Sequence, residues 1–419
     1  MATLRRAFVT GMGCVGPHGI GLECFAAGLR NARSATRRLL LFATDGLPCR
    51  VAGEVPDFQP AAFLPPRDRD RVARVVPMAL VAVREALAHA GFESNPLPPA
   101  IAERLHVVLG SGAGCVEFTE RQYERFFRVG VRGASVYAVS SSTPGMLASE
   151  ISIALGLRGM SHLLSNGCTS STDALGYALD LVRSGRADIV ITGGADACIT
   201  PGVLAGYAHM RVVSTAWNDA PERASRPMSA DRDGFVLAEG AWILIVESEA
   251  SLRRREREPL AEVAGYGSTC EAYHRVAMRE DGEEAARAMA LALQDAGLAP
   301  SEVDYVNLHG TSTPLNDRVE TRAVKIALGA HAHAIPMSAT KSLIGHPQGA
   351  SGAAVVVATI LGMRSGFLPP TINLEVPDPD CDLDYVPQRA RAGAVNCALC
   401  NCLGFGSRNS VLVLRRPAP

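Results

Sequence analysis

Short apolar runs alternate along the chain with longer stretches in which apolar residues recur at helical spacing. Two stretches, "VPMALVAVREALAHAGF" and "EEAARAMALALQDAGL", predict amphipathic helices that stop near the Ala-Gly at their ends. Such alternation predicts an α/β fold. The runs that end in Gly, Ser or charge, and therefore predict buried strands, are "RLHVVLGSGAG", "ADIVITGGADA", "GAWILIVES", "VDYVNLHGTST", "ALCNCLGFG" and "SVLVLRR".

The two helical stretches share a layout, because each is followed by a Pro-containing loop and then by a strand. This internal similarity predicts two related α/β halves. A stretch rich in Arg and Pro, "RRREREP", lies between them. We predict a first half at residues 1–259 and a second half at residues 260–419.

Composition excludes several classes of protein. Lys plus Arg is 41 and Asp plus Glu is 42, a balance that argues against a nucleic-acid surface or a polybasic membrane anchor. No apolar run reaches the roughly 18 residues of a membrane helix, and the first residues do not resemble a signal peptide. The 11 scattered cysteines fit a reducing compartment better than a disulfide framework. We therefore expect a cytoplasmic protein.

Cys168 stands at a predicted helix start in "LLSNGCTSSTDALGYALDLVRSG". After it, apolar residues fall at positions i, i+3, i+4 and i+7 of one helix face. Free N–H groups and the positive end of the helix dipole favour a thiolate, which is the nucleophilic form of cysteine. Cysteine is also used as a small apolar residue, so this position alone leaves both interpretations open.

Two histidine-containing stretches favour the chemical interpretation. His309 follows an apolar strand in "NLHGTST", and Lys341 and His346 lie in "TKSLIGHPQGASGA". A cysteine with imidazoles suits acyl transfer, in which the thiolate attacks and the imidazoles donate hydrogen bonds or move protons. Phe405 stands between glycines in "NCLGFGSRN", where its backbone N–H could serve as an oxyanion donor.

A cluster of cysteines near the C-terminus allows a metal site as an alternative. Cys397, Cys400 and Cys402 lie in "VNCALCNCLGFG", but no second Cys or His pair stands at ligand spacing. The other interpretation is a buried strand that uses cysteines as small apolar residues. We expect no metal.

Six ordered motifs carry a family resemblance: "GCTSSTDALGYA", "RPMSADRDGFVLAEGA", "HGTSTPLNDRVE", "TKSLIGHPQGASGA", "CDLDYVP" and "NCLGFGSRN". With them the chain resembles, from end to end, the elongating β-ketoacyl-acyl carrier protein synthases of the thiolase superfamily. The resemblance implies a five-layered αβαβα sandwich of two similar halves. It also implies a dimer, formed either by two copies or with a homologous chain-length subunit.

The resemblance implies catalytic roles for the matching residues. Cys168 would accept the acyl chain, and His309 and His346 would assist malonyl decarboxylation. Lys341 and Glu320 would form a supporting ion pair. The chemistry would be a decarboxylative Claisen condensation, whose developing negative charge two imidazole donors can hold.

The resemblance also implies how substrates are held. The N–H groups of Cys168 and Phe405 would form the oxyanion hole, and Phe405 would gate the acyl pocket. Thr311 and Thr313 would contact the pantetheine arm. Ala113 and Ala138 stand where similar enzymes carry larger residues, the second of them reaching the pocket from the dimer mate. We therefore expect a roomier pocket than in fatty-acid synthases.

The partner implied by the resemblance is acyl carrier protein, whose phosphopantetheine carries the substrates, so that no further cofactor is expected. Carrier proteins of this type are acidic, and Arg67, Arg71 and Arg132 are the expected docking residues. The first two alternate with acidic residues and could instead be a solvated face. The chain departs from the family pattern at Ser407 and Arg408, which bears on movement of the gate.

Within the family, "GSGAGCVEFTERQYERFF" and "AVSSSTPGM" favour a type II polyketide pathway. Primary type II fatty-acid elongation is the alternative. A non-catalytic chain-length subunit would lack the cysteine, and a degradative thiolase would carry a second reactive cysteine in a late Cys-x-Gly segment. A cysteine peptidase would have no reason to carry "HGTST" or "GHPQGASGA".

Overall fold

Strands and helices alternate throughout the computed structural model, which describes residues 5–92 and 97–417. The strands are β1 (Ala7–Gly16), β2 (Gly19–Ile20), β3 (Arg37–Arg38), β4 (Val51–Ala52), β5 (Leu105–Gly110), β6 (Ser161–Leu164), β7 (Ile189–Asp196), β8 (Gly240–Ser248), β9 (Ala261–Cys270), β10 (Tyr305–Asn307), β11 (Met337–Ser338), β12 (Phe367–Leu368), β13 (Arg391–Ala392), β14 (Cys397–Gly404) and β15 (Arg408–Arg415).

The α-helices differ in how much of their surface is buried, and α12 is buried on nearly every side. None of the helices in the described ranges is long and apolar enough to cross a membrane. The helices are α1 (Leu22–Arg30), α2 (Val75–His89), α3 (Pro99–Ala102), α4 (Val116–Val129), α5 (Met146–Leu155), α6 (Ser170–Arg183), α7 (Pro201–His209), α8 (Glu249–Arg255), α9 (Glu283–Ala296), α10 (Pro314–Leu328), α11 (Lys341–Ile344) and α12 (Ser351–Ser365).

The main sheet consists of two five-stranded arrays with the same strand order, and the short strand β2 pairs with β1 beside them. Along the first array the order is β1-β8-β7-β5-β6, and along the second it is β9-β15-β14-β10-β11. Each array has two antiparallel pairings followed by two parallel ones. The arrays meet where residues 7–9 of β1 pair with residues 261–263 of β9. This repetition is the two-half organisation expected from the sequence; the boundary at residues 259 and 260 stays a prediction.

Helices cover both faces of each array and produce five layers. Helices α6 and α12 pack against each other in the central core between the two arrays. Helices α2 and α5 cover the outer face of the first array, and α9 and α10 cover the outer face of the second. The expected αβαβα sandwich is therefore confirmed. A helix buried between two sheets must be apolar on every side, which explains the sequence "SGAAVVVATILGM" of α12.

Both halves use the same close contact between a strand and an outer helix. A Cβ added to Gly13 in β1 would lie 2.1 Å from the carbonyl oxygen of Ala82 in α2. A Cβ added to Gly267 in β9 would lie 2.2 Å from the carbonyl oxygen of Ala288 in α9. Neither position has room for a side chain, so glycine is required there for packing rather than for backbone conformation.

We expect Gly13→Ala to destabilise the protein by about 1–3 kcal/mol, because an extra methyl in a filled core forces the helix away from the sheet. The free energy of unfolding in a denaturant titration measures this. Gly145→Ala is the matched control, since nothing lies within 4 Å of a Cβ there and its φ is −58°. Equal unfolding free energies for the two variants would contradict this packing argument.

Candidate active site

Cys168 lies in the single 3₁₀ turn Gly167–Thr169 that leads directly into α6. Its side chain is 5% exposed and lines a cavity of about 330 Å³. His309, His346 and Phe405 line the same cavity. The structure thus places Cys168 at the helix start that the sequence predicts, and it brings the two histidines to it from the second half of the chain.

Burial controls the ionisation of the thiol. It raises the pKa of Cys168 to about 11, although the positive charge of Lys341 and the backbone N–H groups of Phe405 and of Cys168 itself favour the thiolate. Burial therefore outweighs these favourable groups, and the pKa of the thiol lies above that of an ordinary cysteine. The same two N–H groups are the ones that the resemblance assigns to an oxyanion hole.

His309 is held in one tautomer by Lys341. The Nζ of Lys341 lies 3.2 Å from Nδ1 of His309 and donates to the His309 carbonyl oxygen at 2.7 Å. Because an ammonium group can only donate, Nδ1 accepts, and the ring proton resides on Nε2. Burial, helped by the charge of Lys341, holds the pKa of His309 well below 6.5, so the ring is neutral.

His346 reaches the same state by different contacts. Its Nδ1 accepts from the backbone N–H of Gln348 at 3.1 Å and lies 2.9 Å from Oγ of Ser351. The ring proton is therefore on Nε2. Burial and Lys341 also hold the pKa of His346 well below 6.5. The rings of His309 and His346 are 5.2 Å apart at 87°, so two neutral N–H donors face one space.

Glu320 fixes the backbone of the histidine loop. Its carboxylate accepts the N–H groups of His309 at 2.7 Å and Gly310 at 2.8 Å, and the side-chain amide of Asn401 at 3.1 Å. The expected ion pair with Lys341 is absent from the salt bridges of the described residues. The physical reason is that both charged groups are occupied by the His309 loop, Lys341 at its carbonyl and Glu320 at its N–H groups.

Asp196, at the end of β7, is a buried carboxylate that the sequence analysis missed. It accepts from Oγ of Ser111 at 2.6 Å, and from the N–H groups of Gly112 at 2.8 Å and Gly349 at 2.6 Å. It therefore ties the loop after β5 to the loop before α12. An acidic residue directly after a buried strand in "IVITGGADA" was the available signal.

Thr311 and Thr313 line the cavity, with their hydroxyl oxygens 2.9 Å apart. Phe405 stands in the turn between β14 and β15, with its ring 6.4 Å from that of Tyr207. In the same turn Ser407 has a φ of 64°, a conformation that costs energy for a residue other than glycine. Its hydroxyl compensates by donating to the carbonyl of His274 at 2.9 Å.

The two predicted pocket alanines lie in different places. Ala113 packs in the same apolar cluster as Tyr207 and Phe405, close to the turn between β14 and β15, which is called the gate turn below. Ala138 lines a separate surface cavity with Tyr123 and Phe126. Within one chain, therefore, Ala138 does not belong to the Cys168 cavity, because the segment after α4 runs along the outside of the first half.

The predicted docking arginines lie outside the cavity. Arg67 is 3.5 Å from Asp68, the guanidinium of Arg71 lies 5.0 Å from the ring centre of Tyr137, and Arg132 is exposed in the turn Val131–Gly133. Arg71 thus connects the segment that contains Arg67 to the segment around Tyr137. Their role in docking stays a prediction.

Cys397 packs apart from the other two cysteines of β14, which argues against a three-cysteine metal site there. Cys397 packs in the outer core of the second half, Cys400 packs in the central core, and Sγ of Cys402 lies 3.6 Å from Nδ1 of His309. The donor atoms of Cys168, His309 and His346 lie within 4.8 Å of one another, a spacing that a metal ion can also span. In this set, however, Nδ1 of each histidine has a partner inside the protein, which orients Nε2–H as a donor.

We expect alkylation of Cys168 by iodoacetamide to keep accelerating between pH 8 and pH 10, because its pKa is raised to about 11. Peptide mass spectrometry separates Cys168 from the exposed Cys24 and Cys270. Lys341→Met should slow the reaction at each pH, since loss of the positive charge raises the thiol pKa further. A rate that levels off below pH 8 would contradict this assignment.

Comparison with known proteins agrees with this geometry. The sequence models for the beta-ketoacyl synthase N-terminal and C-terminal domains match residues 5–251 and 260–375. The chain is 40% identical to the 3-oxoacyl-[acyl-carrier-protein] synthase 2 of Synechocystis over 98% of both chains. It is 38% identical to the tetracenomycin polyketide synthase ketoacyl synthase alpha subunit of Streptomyces glaucescens, over 99% of this chain and 97% of that one.

Two solved structures share the fold over the whole chain. One is a type II polyketide synthase acyl-carrier protein in complex with its ketosynthase bound to the hexaketide, with a TM-score of 0.90 and 31% identity over 99% of this chain and 100% of that one. The other is the ishigamide ketosynthase/chain length factor, with a TM-score of 0.90 and 32% identity over the same shares. The chain belongs to the β-ketoacyl synthase family.

Proposed function

We propose that the protein condenses an acyl chain held on Cys168 with malonyl-acyl carrier protein, releasing CO₂ and forming a β-ketoacyl-acyl carrier protein. The observation that carries this proposal is the convergence of one thiol and two neutral imidazoles in one cavity, with the sulfur and one nitrogen of each ring within 4.8 Å of one another. A nucleophile and a pair of fixed donors are what acyl transfer followed by enolate formation requires.

The first step loads Cys168. Its sulfur attacks the thioester carbonyl of the donor and loses its proton, the pantetheine thiolate leaves and takes up a proton, and an acyl-cysteine thioester remains. The negative oxygen of the tetrahedral intermediate would accept from the N–H groups of Cys168 and Phe405, which already favour negative charge at the sulfur.

The second step uses the histidines. The malonyl thioester oxygen would accept from Nε2–H of His309 and His346. The bond to the carboxylate breaks, CO₂ leaves, and its electron pair forms an enolate on that oxygen. The enolate carbon then attacks the acyl-Cys168 carbonyl, a carbon–carbon bond forms, and the Cys168 thiolate leaves and takes up a proton from solvent. Neutral imidazoles suit this step because they donate without transferring a full charge.

The substrates would arrive on the phosphopantetheine of acyl carrier protein, as the name of the Synechocystis relative and the complex with a carrier protein suggest for those proteins. Thr311 and Thr313 line the cavity and offer hydroxyls to the amides of the arm. Arg67, Arg71 and Arg132 would steer the acidic carrier to the surface.

The protein would work as a dimer with a second ketosynthase-type chain, either a copy of itself or a chain-length subunit. Large apolar side chains are exposed along α4 and the segment that follows it, including Phe127 at 80%, Val136 at 93% and Val139 at 84%. So much exposed apolar surface is typical of a subunit interface. Ala138 lies on this face, so its predicted effect on the acyl pocket would have to act across the dimer.

The pathway is proposed to be of the type II polyketide kind. Supporting this choice are the ketosynthase structure of a type II polyketide synthase and the tetracenomycin polyketide relative, each of which matches 99% of this chain. The fatty-acid relative from Synechocystis is as similar, so overall identity does not decide between them. Fatty-acid elongation therefore remains the second candidate.

We expect incubation with an acyl-carrier donor to give one acyl adduct by intact-protein mass spectrometry, and Cys168→Ala to lose it. His309→Ala and His346→Ala should still be acylated but should lose condensation by at least about 100-fold, because decarboxylation loses an enolate donor. An adduct that survives on Cys168→Ala, or normal condensation by both histidine variants, would reject the proposed roles.

We expect malonyl decarboxylation by Cys168→Ala to change less than about twofold between pH 8 and pH 6. The pKa values of both histidines are held well below 6.5, so the rings stay neutral across this window and protonate only below it. Adding Lys341→Met removes a positive charge that lowers both pKa values, while burial, the larger cause, remains; the fall in rate at acid pH should therefore begin at a higher pH than in Cys168→Ala. A midpoint near pH 6.5 in Cys168→Ala itself would show that the rings titrate normally.

A further inference from the structure

Gln348 is a buried polar residue beside the nucleophile that the mechanism above does not use. The residue is 5% exposed and lines the Cys168 cavity. Its Oε1 lies 3.8 Å from Sγ of Cys168 and accepts from the hydroxyl of Tyr207 at 3.0 Å. Its Nε2 is fully buried and has no hydrogen-bond partner in the described part of the chain.

A buried amide with an unpartnered NH₂ group is unfavourable, and beside the nucleophile it points to a ligand atom that supplies the acceptor. When Cys168 carries an acyl chain, the S–H is gone and Oε1 of Gln348 keeps only the Tyr207 hydroxyl. The thioester oxygen is then taken by the N–H groups of Cys168 and Phe405. The acceptor left for Nε2 is an oxygen further along the acyl chain.

The position of the amide indicates which oxygen this is. Gln348 Oε1 is 3.8 Å from the sulfur, beside the first carbons of a chain attached there. Tyr207 and Phe405 pack against each other, so a chain that displaces the Phe405 ring meets the Tyr207–Gln348 pair. A saturated chain offers no acceptor at this place, whereas a 3-oxoacyl chain presents its ketone oxygen there.

We propose that Gln348, oriented by Tyr207, binds the 3-oxo oxygen of the acyl chain on Cys168 and so selects β-keto acyl chains over saturated ones. The inference rests on the proposed function and names its substrate class. This selectivity does not depend on how deep the pocket is, because a hydrogen bond near the thioester distinguishes two acyl chains of equal length.

The experiment compares acylation of Cys168 by 3-oxohexanoyl-pantetheine and hexanoyl-pantetheine, followed by intact-protein mass spectrometry of the full chain. The measured quantity is the ratio of the two acylation rate constants in each variant relative to the wild type, which cancels the intrinsic reactivity of the donors. Gln348→Leu should lower this ratio about tenfold, because the ketone then enters an apolar site without its donor.

Two further variants separate recognition from folding. Gln348 has a φ of 44°, a conformation that Asn tolerates well. Gln348→Asn therefore keeps the backbone and an amide but shortens its reach, and it should also lower the ratio about tenfold. Tyr207→Phe removes only the hydroxyl that orients the amide and should lower the ratio by a smaller factor. An unchanged ratio in Gln348→Asn and Gln348→Leu would overturn the inference.

A separate measurement distinguishes failure of this inference from failure of the proposed function. Wild-type protein loaded with 3-oxohexanoyl, and in parallel with hexanoyl, is mixed with malonyl-acyl carrier protein, and the condensation product is measured. If no product forms from either chain, the proposed function is wrong and the selectivity inference falls with it. If product forms but the ratio is the same in wild type and both Gln348 variants, the condensation stands and only the role of Gln348 is rejected.

Discussion

The close packing of α6 against α12 in the central layer is the constraint on which the site depends. A Cβ added to Gly352 would lie 1.9 Å from Oγ1 of Thr172, so the two helices touch through a position that only glycine can occupy. The helices come from different halves of the chain, and both begin at the same end of the layer. Cys168 precedes the first and His346 precedes the second, so the contact between helices sets the distance between nucleophile and donor.

Burial in that layer is the main influence on the protonation of the Cys168 thiol and of both imidazoles. Desolvation disfavours charge, so the thiol stays protonated and both imidazoles stay neutral. The positive charge of Lys341 lowers the pKa values of both imidazoles, as burial does. It also lowers the pKa of the thiol, which burial raises. One buried cation thus keeps two rings as hydrogen-bond donors and at the same time eases formation of the thiolate.

The fold was largely predictable because its signals are local. Apolar runs mark β5, β7, β8, β14 and β15, and the two strongest helical periods are α2 and α9. The sequence analysis missed strand β9, because Gly265 and Gly267 interrupt its apolar pattern. Glycine is needed at both positions because α9 packs directly against the strand there. In the site, Cys168, His309 and His346 could be chosen from motifs. Asp196 and Gln348 could not be chosen in this way, because their hydrogen-bond partners are distant in sequence and meet them only in the folded structure.

Among the non-glycine residues with positive φ around the cavity are Gln348 and Ser407, with φ values of 44° and 64°. Each such conformation costs of order 1–3 kcal/mol and persists only where surrounding contacts fix it. The hydroxyl of Ser407 fixes the gate turn to the His274 segment, and the N–H of Gln348 fixes Nδ1 of His346. The strain at Gln348 therefore does two things at once: its backbone sets the tautomer of a histidine, and its side chain is directed at the sulfur. The backbone of Gln348 thereby orients His346, which would donate to the enolate, and its side chain forms part of the cavity wall that would contact the acyl chain.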